Sequence, residues 1–327
     1  MTTFKHSARP LRQYGLTLVE LMIAMVLGLL VTGGAISIVI ANGQTNRTNI
    51  ALSQIQESSR TAFELLARDI RQAGATGCGN LADQIDASGL NGNTDPMLAV
   101  PWTGIRGYAA NTAAPGVTTG SDAGNRVAGT DAILVQSVSG GGFLLVDVDS
   151  EATSQNEDGE DDAWKRSYEF HAPANAISDG NLLLACNSGG AVIFQASNVS
   201  SSGTTVTAWD DADGAFFNTA DSGMVSRLNN VLWYIGNNGR PEEGGRSLYR
   251  RLLGGNAEEI IPGVSDMEIL YRDGEADDFA SAPGNWGGIT AVQIILTTDS
   301  LDARVGVDDG RLQRSFTSLI GLRNPRI

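Results

Sequence analysis

Glu20 is the residue whose position demands a chemical explanation. It is the only charged side chain in an apolar run from Leu16 to Ala41, about 26 residues long. About 20 apolar residues cross the hydrocarbon core of a bilayer, so the run reads as a membrane helix. A carboxylate inside such a helix costs roughly 2.5–3.5 kcal/mol on insertion scales and is expected to be paired. A cut between Gly15 and Leu16 would create an ammonium one helical turn before Glu20. In a staggered stack of such rods, the acid of one would meet the amine of the next. Only a neighbour in register supplies that partner, so the pair would set register as well as energy.

Two plainer readings compete. In a secretory signal peptide, Lys5, Arg9 and Arg12 would form the basic region. A cleavable apolar region is only about 7–15 residues long and ends in a small-residue site. This run is longer and has no such ending before Ala41. The other plain reading is a simple signal anchor with Glu20 near the interface.

The elements that must carry Glu20 follow from the pattern around it. The apolar stretch is interrupted by Gly28 and by Gly33-Gly34. These are weak helix formers, suited either to close helix packing or to a stretch that loosens. After Asn42 the pattern turns amphipathic, with Ile55, Ala62, Phe63, Leu66, Ile70 and Ala73 at helical spacing. Glu64 and Arg68 form an i,i+4 pair on the other face. Gly74 is the expected stop. One helix of roughly 58 residues is therefore expected from Leu16 to Ala73, about 87 Å long at its usual rise.

Beyond Gly74 short β-rich runs alternate with Gly, Asn, Asp and Ser. Expected strands are Ala132–Val138, Phe143–Val148, Arg166–His171, Asn181–Ala185, Ala191–Phe194 and Thr204–Trp209. Val231–Gly236, Ser247–Leu253, Ser265–Arg272, Ala291–Thr298 and Gln313–Leu322 follow, the last two being the clearest. Ser88–Thr130 and Ser150–Asp162 read as long loops. The fold class is α+β: a long N-terminal helix packed on a β-rich, loop-rich head. The expected organisation is a leader at 1–15, an apolar half-helix at 16–41, an amphipathic half at 42–74, and a head at 75–327 with room for two lobes.

The chain has 327 residues, 40 of them glycine, and a formal net charge of −15. Loss of Lys5, Arg9 and Arg12 with the leader takes it to about −18. Such a surface repels phosphate backbones, so no nucleic-acid partner is expected, a local basic patch around Arg246, Arg250 and Arg251 aside. The basic leader belongs on the cytoplasmic side, which puts the acidic remainder across the membrane. In a bacterium that is the oxidising periplasm. Cys78 and Cys186, the only two cysteines, are expected to form a disulfide there, with two separate buried thiols as the alternative. The bond would close a loop of about 108 residues, worth about 4–5 kcal/mol by chain entropy.

Enzyme chemistry has little to stand on. His6 is lost with the leader, and His171 between Phe170 and Ala172 reads as structural. No nucleophile–base pair, phosphate loop or dinucleotide fingerprint can be assembled. No catalytic residue and no cofactor are expected. Acidic clusters at Glu157–Asp162 and Asp210–Gly214 invite a calcium reading. With Gly214 at the sixth position of an EF-hand loop, the first is Trp209 and the twelfth Ala220, so that pattern fails. An irregular calcium loop or a solvated acidic loop remain. Trp209, Trp233, Tyr234, Tyr249, Tyr271 and Trp286 could form an adhesive surface, but those within strand runs are expected in the core.

The string Tyr14-Gly15-Leu16-Thr17-Leu18-Val19-Glu20 resembles the class III signal of type IV prepilins. The resemblance implies that a prepilin peptidase cuts after Gly15, that Leu16 becomes the methylated first residue, and that Glu20 docks the subunit. Leu16 stands where many major pilins have phenylalanine. A second block, Arg68-Asp69-Ile70-Arg71-Gln72-Ala73-Gly74 leading to Gly77-Cys78, resembles the helix end of PilW-type minor pilins. Leu232–Ile235, Ser247–Arg251, Ile261–Tyr271 and Leu322–Asn324 look like the same family in the same order. That family implies priming or tip complexes with other minor pilins and the major pilin, built on an inner-membrane platform. It implies a single-pass inner-membrane protein with a periplasmic head that later enters the pilus and supports twitching motility. The J-type minor pseudopilins of type II secretion are similar in the anchor and helix end. A membrane-anchored binding or adhesin domain is the remote alternative.

Overall fold

The computed structural model describes residues 15, 17–79, 85–90, 93–155, 161–173, 175–187, 189–202, 205–210, 223–274, 276, 278–306 and 310–324. One helix, α1 (Leu18–Arg71), is followed among these by fifteen strands, and α+β describes the chain. The strands are β1 (Ile85–Gly89), β2 (Ile105–Tyr108), β3 (Ala132–Val138), β4 (Phe143–Gln155), β5 (Asp161–His171), β6 (Leu182–Cys186), β7 (Ala191–Gln195) and β8 (Ser197–Ser202). Then come β9 (Thr205–Asp210), β10 (Gly223–Asn237), β11 (Arg246–Leu252), β12 (Ala257–Pro262), β13 (Val264–Asp273), β14 (Ile289–Asp299) and β15 (Gln313–Gly321). Two compact units divide the chain, residues 1–50 and 51–327.

Within the second unit, the amphipathic turns of α1 behave as their spacing demands. Ile55, Ala62, Leu66, Ile70 and Ala73 are buried. The helix stops at Arg71, two residues short of the expected end, and a turn carries the chain to Gly74. Gly74 has φ +74°, and its N–H donates to the carbonyl of Gln136 in β3 at 2.9 Å. A side chain is strained in that left-handed backbone, which is why glycine ends the helix.

The fifteen-residue β10 organises the head. Its first residues pair with β6 and β4, and its later ones with β3 and β11. One strand thus runs through two neighbouring cores. In the first, Ala62, Leu66 and Ile70 of α1 pack with Ile133, Trp233 and Ile294. The second gathers Leu145, Phe170, Leu183 and Val225 around stacked Tyr168 and Phe194, ring centroids 4.4 Å apart. A separate antiparallel sheet, β13-β14-β15, lends its buried face to the first core. Trp233, Tyr234, Tyr249 and Tyr271 are buried, while Trp286 is half-buried and meets Tyr271 edge-on at 4.9 Å. The side chain of Trp209 lies outside what is described.

Two expected loops need correction. Ser150–Asp162 is not a loop throughout, because β4 runs on to Gln155 and β5 begins at Asp161. Antiparallel backbone pairing, from Ser150 opposite Arg166 to Gln155 opposite Asp161, carries these polar residues without an apolar signal. Ser88–Thr130 contains β2 and is pinned from inside. Arg126 is 1% exposed and donates to the carbonyls of Thr112 (2.7 Å), Tyr108 (2.9 Å), Ala109 (3.1 Å) and Thr130. Asp95 holds Arg251 by two hydrogen bonds, 2.8 and 3.2 Å, and accepts the N–H of Met97 and Gly254, each at 2.9 Å.

Burial works to raise the pKa of Asp95, but the Arg251 guanidinium and the two backbone N–H groups outweigh it and hold the carboxyl below its usual 3.8. Its stabilisation is therefore complete above that value and lost as pH falls through the lower folded one. Asp131 is shifted the opposite way, upward by burial, but it is common to any pair of Asp95 variants. Asp95→Asn is expected to cost roughly 1.5–3 kcal/mol near neutral pH, the range for hydrogen bonds to charged groups. Urea melts of both proteins from pH 7 to pH 2 check this: the gap between them should narrow only below about pH 4.

Candidate functional site

The site begins at the first turn of α1. Gly15 is exposed and non-helical, and a Cβ placed there would meet nothing within 4 Å. Leu16 lies outside the described residues. Thr17 is the residue before the helix, and its hydroxyl oxygen accepts the N–H of Glu20 at 3.2 Å. The Glu20 carboxylate reaches back to accept the Thr17 N–H and hydroxyl, each at 3.1 Å. This reciprocal pair is a capping box. It satisfies orphan donors of the helix terminus and puts a negative charge beside the positive end of the helix dipole.

The capping box changes what the sequence implied about Glu20. The acid does not wait unpaired for a neighbour; within its own chain it already has two donors. Both come from Thr17, the residue that follows Leu16. An ammonium at Leu16 would therefore arise beside a carboxylate whose position is already fixed. The Thr-x-x-Glu signature of Thr17-Leu18-Val19-Glu20 was readable in the sequence.

From Leu18 to Ile40 the large apolar side chains of the helix are exposed, Leu18 at 74% and Leu29 at 73% among them. An 18-residue window of α1 reaches a mean hydropathy of 2.5 with none of it buried, so the helix is long and apolar enough to cross a membrane. The helix is unbroken at Gly28, Gly33 and Gly34. Thr32 donates to the Gly28 carbonyl and Ser37 to the Gly33 carbonyl at 2.9 Å, so these hydroxyls are satisfied without water.

The far end of α1 carries a second acid. Asp69 is 6% exposed and accepts the Trp233 indole N–H at 3.1 Å and the Arg68 guanidinium N–H at 3.0 Å. Arg250 lies over the Trp233 ring, 5.9 Å from its centroid. Two stretches distant in sequence, Arg68–Gly74 and Leu232–Ile235, thus meet through one buried hydrogen bond. Just beyond, Cys78 and Cys186 are joined by a disulfide, Cα atoms 5.9 Å apart, tying the segment after the helix to the end of β6.

Among the described residues no three His, Cys, Asp or Glu side chains gather as a metal group. The acidic stretches Glu157–Asp162 and Asp210–Gly214 fall largely outside those residues, and His171 is exposed at the end of β5. Of the patch around Arg246, Arg250 and Arg251, each arginine is engaged: with the Ser265 carbonyl, Glu258 and Asp95 respectively. A cleft of about 450 Å³ beside Met97, Trp102 and Ile193 is mainly apolar.

Residues 10–36 match the prokaryotic N-terminal methylation motif. No curated protein and no solved structure matches the chain. The matched segment contains Gly15, Thr17 and Glu20 and is a type IV prepilin-like leader followed by its apolar helix. The chain carries the N-terminus of a type IV pilin-like protein, a class that includes pilins and pseudopilins.

Loss of the Thr17 cap is expected to loosen the first turn. Removing a threonine N-cap costs about 1 kcal/mol, so Thr17→Ala should speed amide exchange at Glu20 and Leu21 about fivefold in detergent micelles. Thr17→Ser should leave exchange near the wild-type rate.

Proposed function

We propose that this protein is a minor pilin of the type IV pilus, of the PilW type. It inserts in the inner membrane with its head in the periplasm, is cut after Gly15 by a prepilin peptidase, and is methylated on Leu16. It then enters a fibre through its apolar half-helix. The observation that carries the reading is the capped Glu20 carboxylate one turn from the leader junction, inside a matched methylation motif. In an isolated anchor the acid would serve only to cap its own helix. A subunit that stacks against others gains a register mark from it.

The head supports a priming or tip role rather than bulk shaft construction. It extends from residue 51 to residue 327, a large load for every subunit of a thin fibre. Its work is assembly: other minor pilins and the major pilin contact it, and the inner-membrane platform receives it. The methylation motif serves a minor pseudopilin of type II secretion equally well, and the two are told apart by what deletion abolishes.

Mass spectrometry of the protein from cells should find Leu16 at the N-terminus with one added methyl group. Glu20→Ala should leave the protein in the membrane yet lower surface pili at least tenfold, counted by shearing and immunoblot. Loss of surface pili and twitching on deletion fits the minor pilin. Loss of protein secretion with pili intact identifies the pseudopilin, and an uncut chain starting at Met1 removes both.

A further inference from the structure

β15 is an open edge. Among the described residues it pairs only with β14, in an unbroken register from Asp299 opposite Gln313 to Ala291 opposite Gly321. Leu322 N–H donates to the Thr290 carbonyl at 2.9 Å and Ser300 N–H to the Leu312 carbonyl at 2.7 Å. In an antiparallel ladder bonded residues alternate, so these two bonds fix the phase. Residues 314, 316, 318 and 320 turn their backbone groups to β14. Gln313, Ser315, Thr317, Leu319 and Gly321 turn theirs outward, and all five are exposed and uncharged. The Gln313 carbonyl accepts the Arg314 guanidinium at 3.2 Å, and beyond Gly321 the Arg323 N–H donates to the Arg71 carbonyl at 3.3 Å, so the open row runs from Ser315 to Gly321.

Natural sheets protect such edges with charges, prolines, bulges or brevity. The other edges among the described residues are protected. β4 beyond Leu145 pairs with β5 alone, but it carries Asp147, Asp149 and Glu151 and its ladder is broken three times. β12 carries Glu258 and Glu259 and ends in Pro262, with a register break opposite it. The ladders of β8 and β1 are broken, between Ser197 and Ser200 and between Asp86 and Gly89. β2 has four residues. The outer side of β13 is already taken: Asp131 N–H bonds the Met267 carbonyl, and Tyr271 exchanges two backbone bonds with Ala280. Among the described strands only β15 combines nine residues, regular pairing and no charged residue or proline in its outward row.

The same edge shows Leu319 at 64% exposure, beside Gln293 and diagonal to Ile295 on one face of the sheet. Arg314 and Arg323 stand at either end, exposed, and neither makes an ion pair among the described residues. Arg314 gives one N–H to the Gln313 carbonyl at 3.2 Å, but in a chain of net charge −15 two guanidinium groups with no carboxylate partner among the described residues, flanking one uncharged edge, are a recognition pattern.

We infer that β15 accepts a β-strand from the head of a different pilin-type subunit, an inference that rests on the assembly reading above. The incoming strand is extended and uncharged along its middle. It carries an apolar residue to cover Leu319 and a carboxylate near an end to meet Arg314 or Arg323. Backbone bonds to residues 315, 317 and 319 give affinity, and the side-chain pattern gives specificity. A second copy of this chain does not fit, because β15 holds an arginine and no carboxylate, so self-pairing adds cations at the seam.

The test uses the full-length chain in its own cells, with a photo-crosslinking amino acid at Ser315. The expected product is an adduct to another chain that has its own N-terminal methylation motif, mapped by mass spectrometry to an extended segment. Thr317→Pro removes only an outward N–H, which edge strands tolerate. It should cut the adduct at least tenfold while the melting temperature stays within about 2 °C. Leu319→Lys, which leaves the backbone intact, should do the same if the proline variant misfolds. An adduct of twice the chain's own mass, or one that persists in both variants, overturns the inference. So does the absence of any pilin-type adduct where Leu16 is processed and fibre growth depends on Glu20; that result leaves the assembly reading standing. An unprocessed leader brings down both.

Discussion

One helix must satisfy two environments, and the head is built around the half that folds against protein. The second half of α1 buries Ala62, Leu66 and Ile70 completely, so any element facing it must present an apolar surface at the same spacing. β10 supplies part of that surface through Val231, Trp233 and Ile235, and its other half continues into the second core. Trp233 is the common point. Its ring lies in the core beneath the helix while its N–H reaches Asp69, which fixes the rotation of the helix relative to the strand. An apolar residue at position 69 would bury as well, but it would accept slippage that a hydrogen bond does not.

Glu20 and Asp69 are two acids on one helix, the first exposed and the second buried, and the chain treats them differently. Asp69 is closed within the head by two donors, one from β10 and one from its helical neighbour. Glu20 is held only by its own N-cap, at a helix end whose neighbouring side chains are exposed. A capping box costs little to open, of order 1 kcal/mol, whereas an ammonium offers the same carboxylate a charged partner.

How much of this was legible follows from where apolar residues sit. Ala132–Val138 was read to the residue, and the strands around Val231, Ser265 and Ala291 were read at their centres, because buried strands carry Val, Ile and Leu continuously or in alternation. The strands that escaped were β1, β2, β8 and β12, which are short or polar: Ser197–Ser202 holds four serines, and Ala257–Pro262 holds two glutamates and a proline. The arms of β4 and β5 beyond Val148 escaped for the same reason, being formed by backbone pairing with no apolar stripe. At the site, the glycine, the acid and their spacing were legible. The capping role of Thr17 was equally legible as a local signature but was hidden by reading the acid only toward a neighbour. The Asp69–Trp233 bond could not be seen, since nothing local joins positions 164 residues apart.

The polar residues inside the head point the same way as its helix. Arg126 binds four carbonyls of its own chain, Asp95 and Arg251 saturate one another with help from two N–H groups, and Arg240 is shared by Glu243 and Glu259. Here the charged groups are used to hold loops against the sheets. The segment 109–131 is tied together from inside by Arg126. The head spends its buried charge on shape, and the apolar side chains of the helix from Leu18 to Ile40 stay exposed.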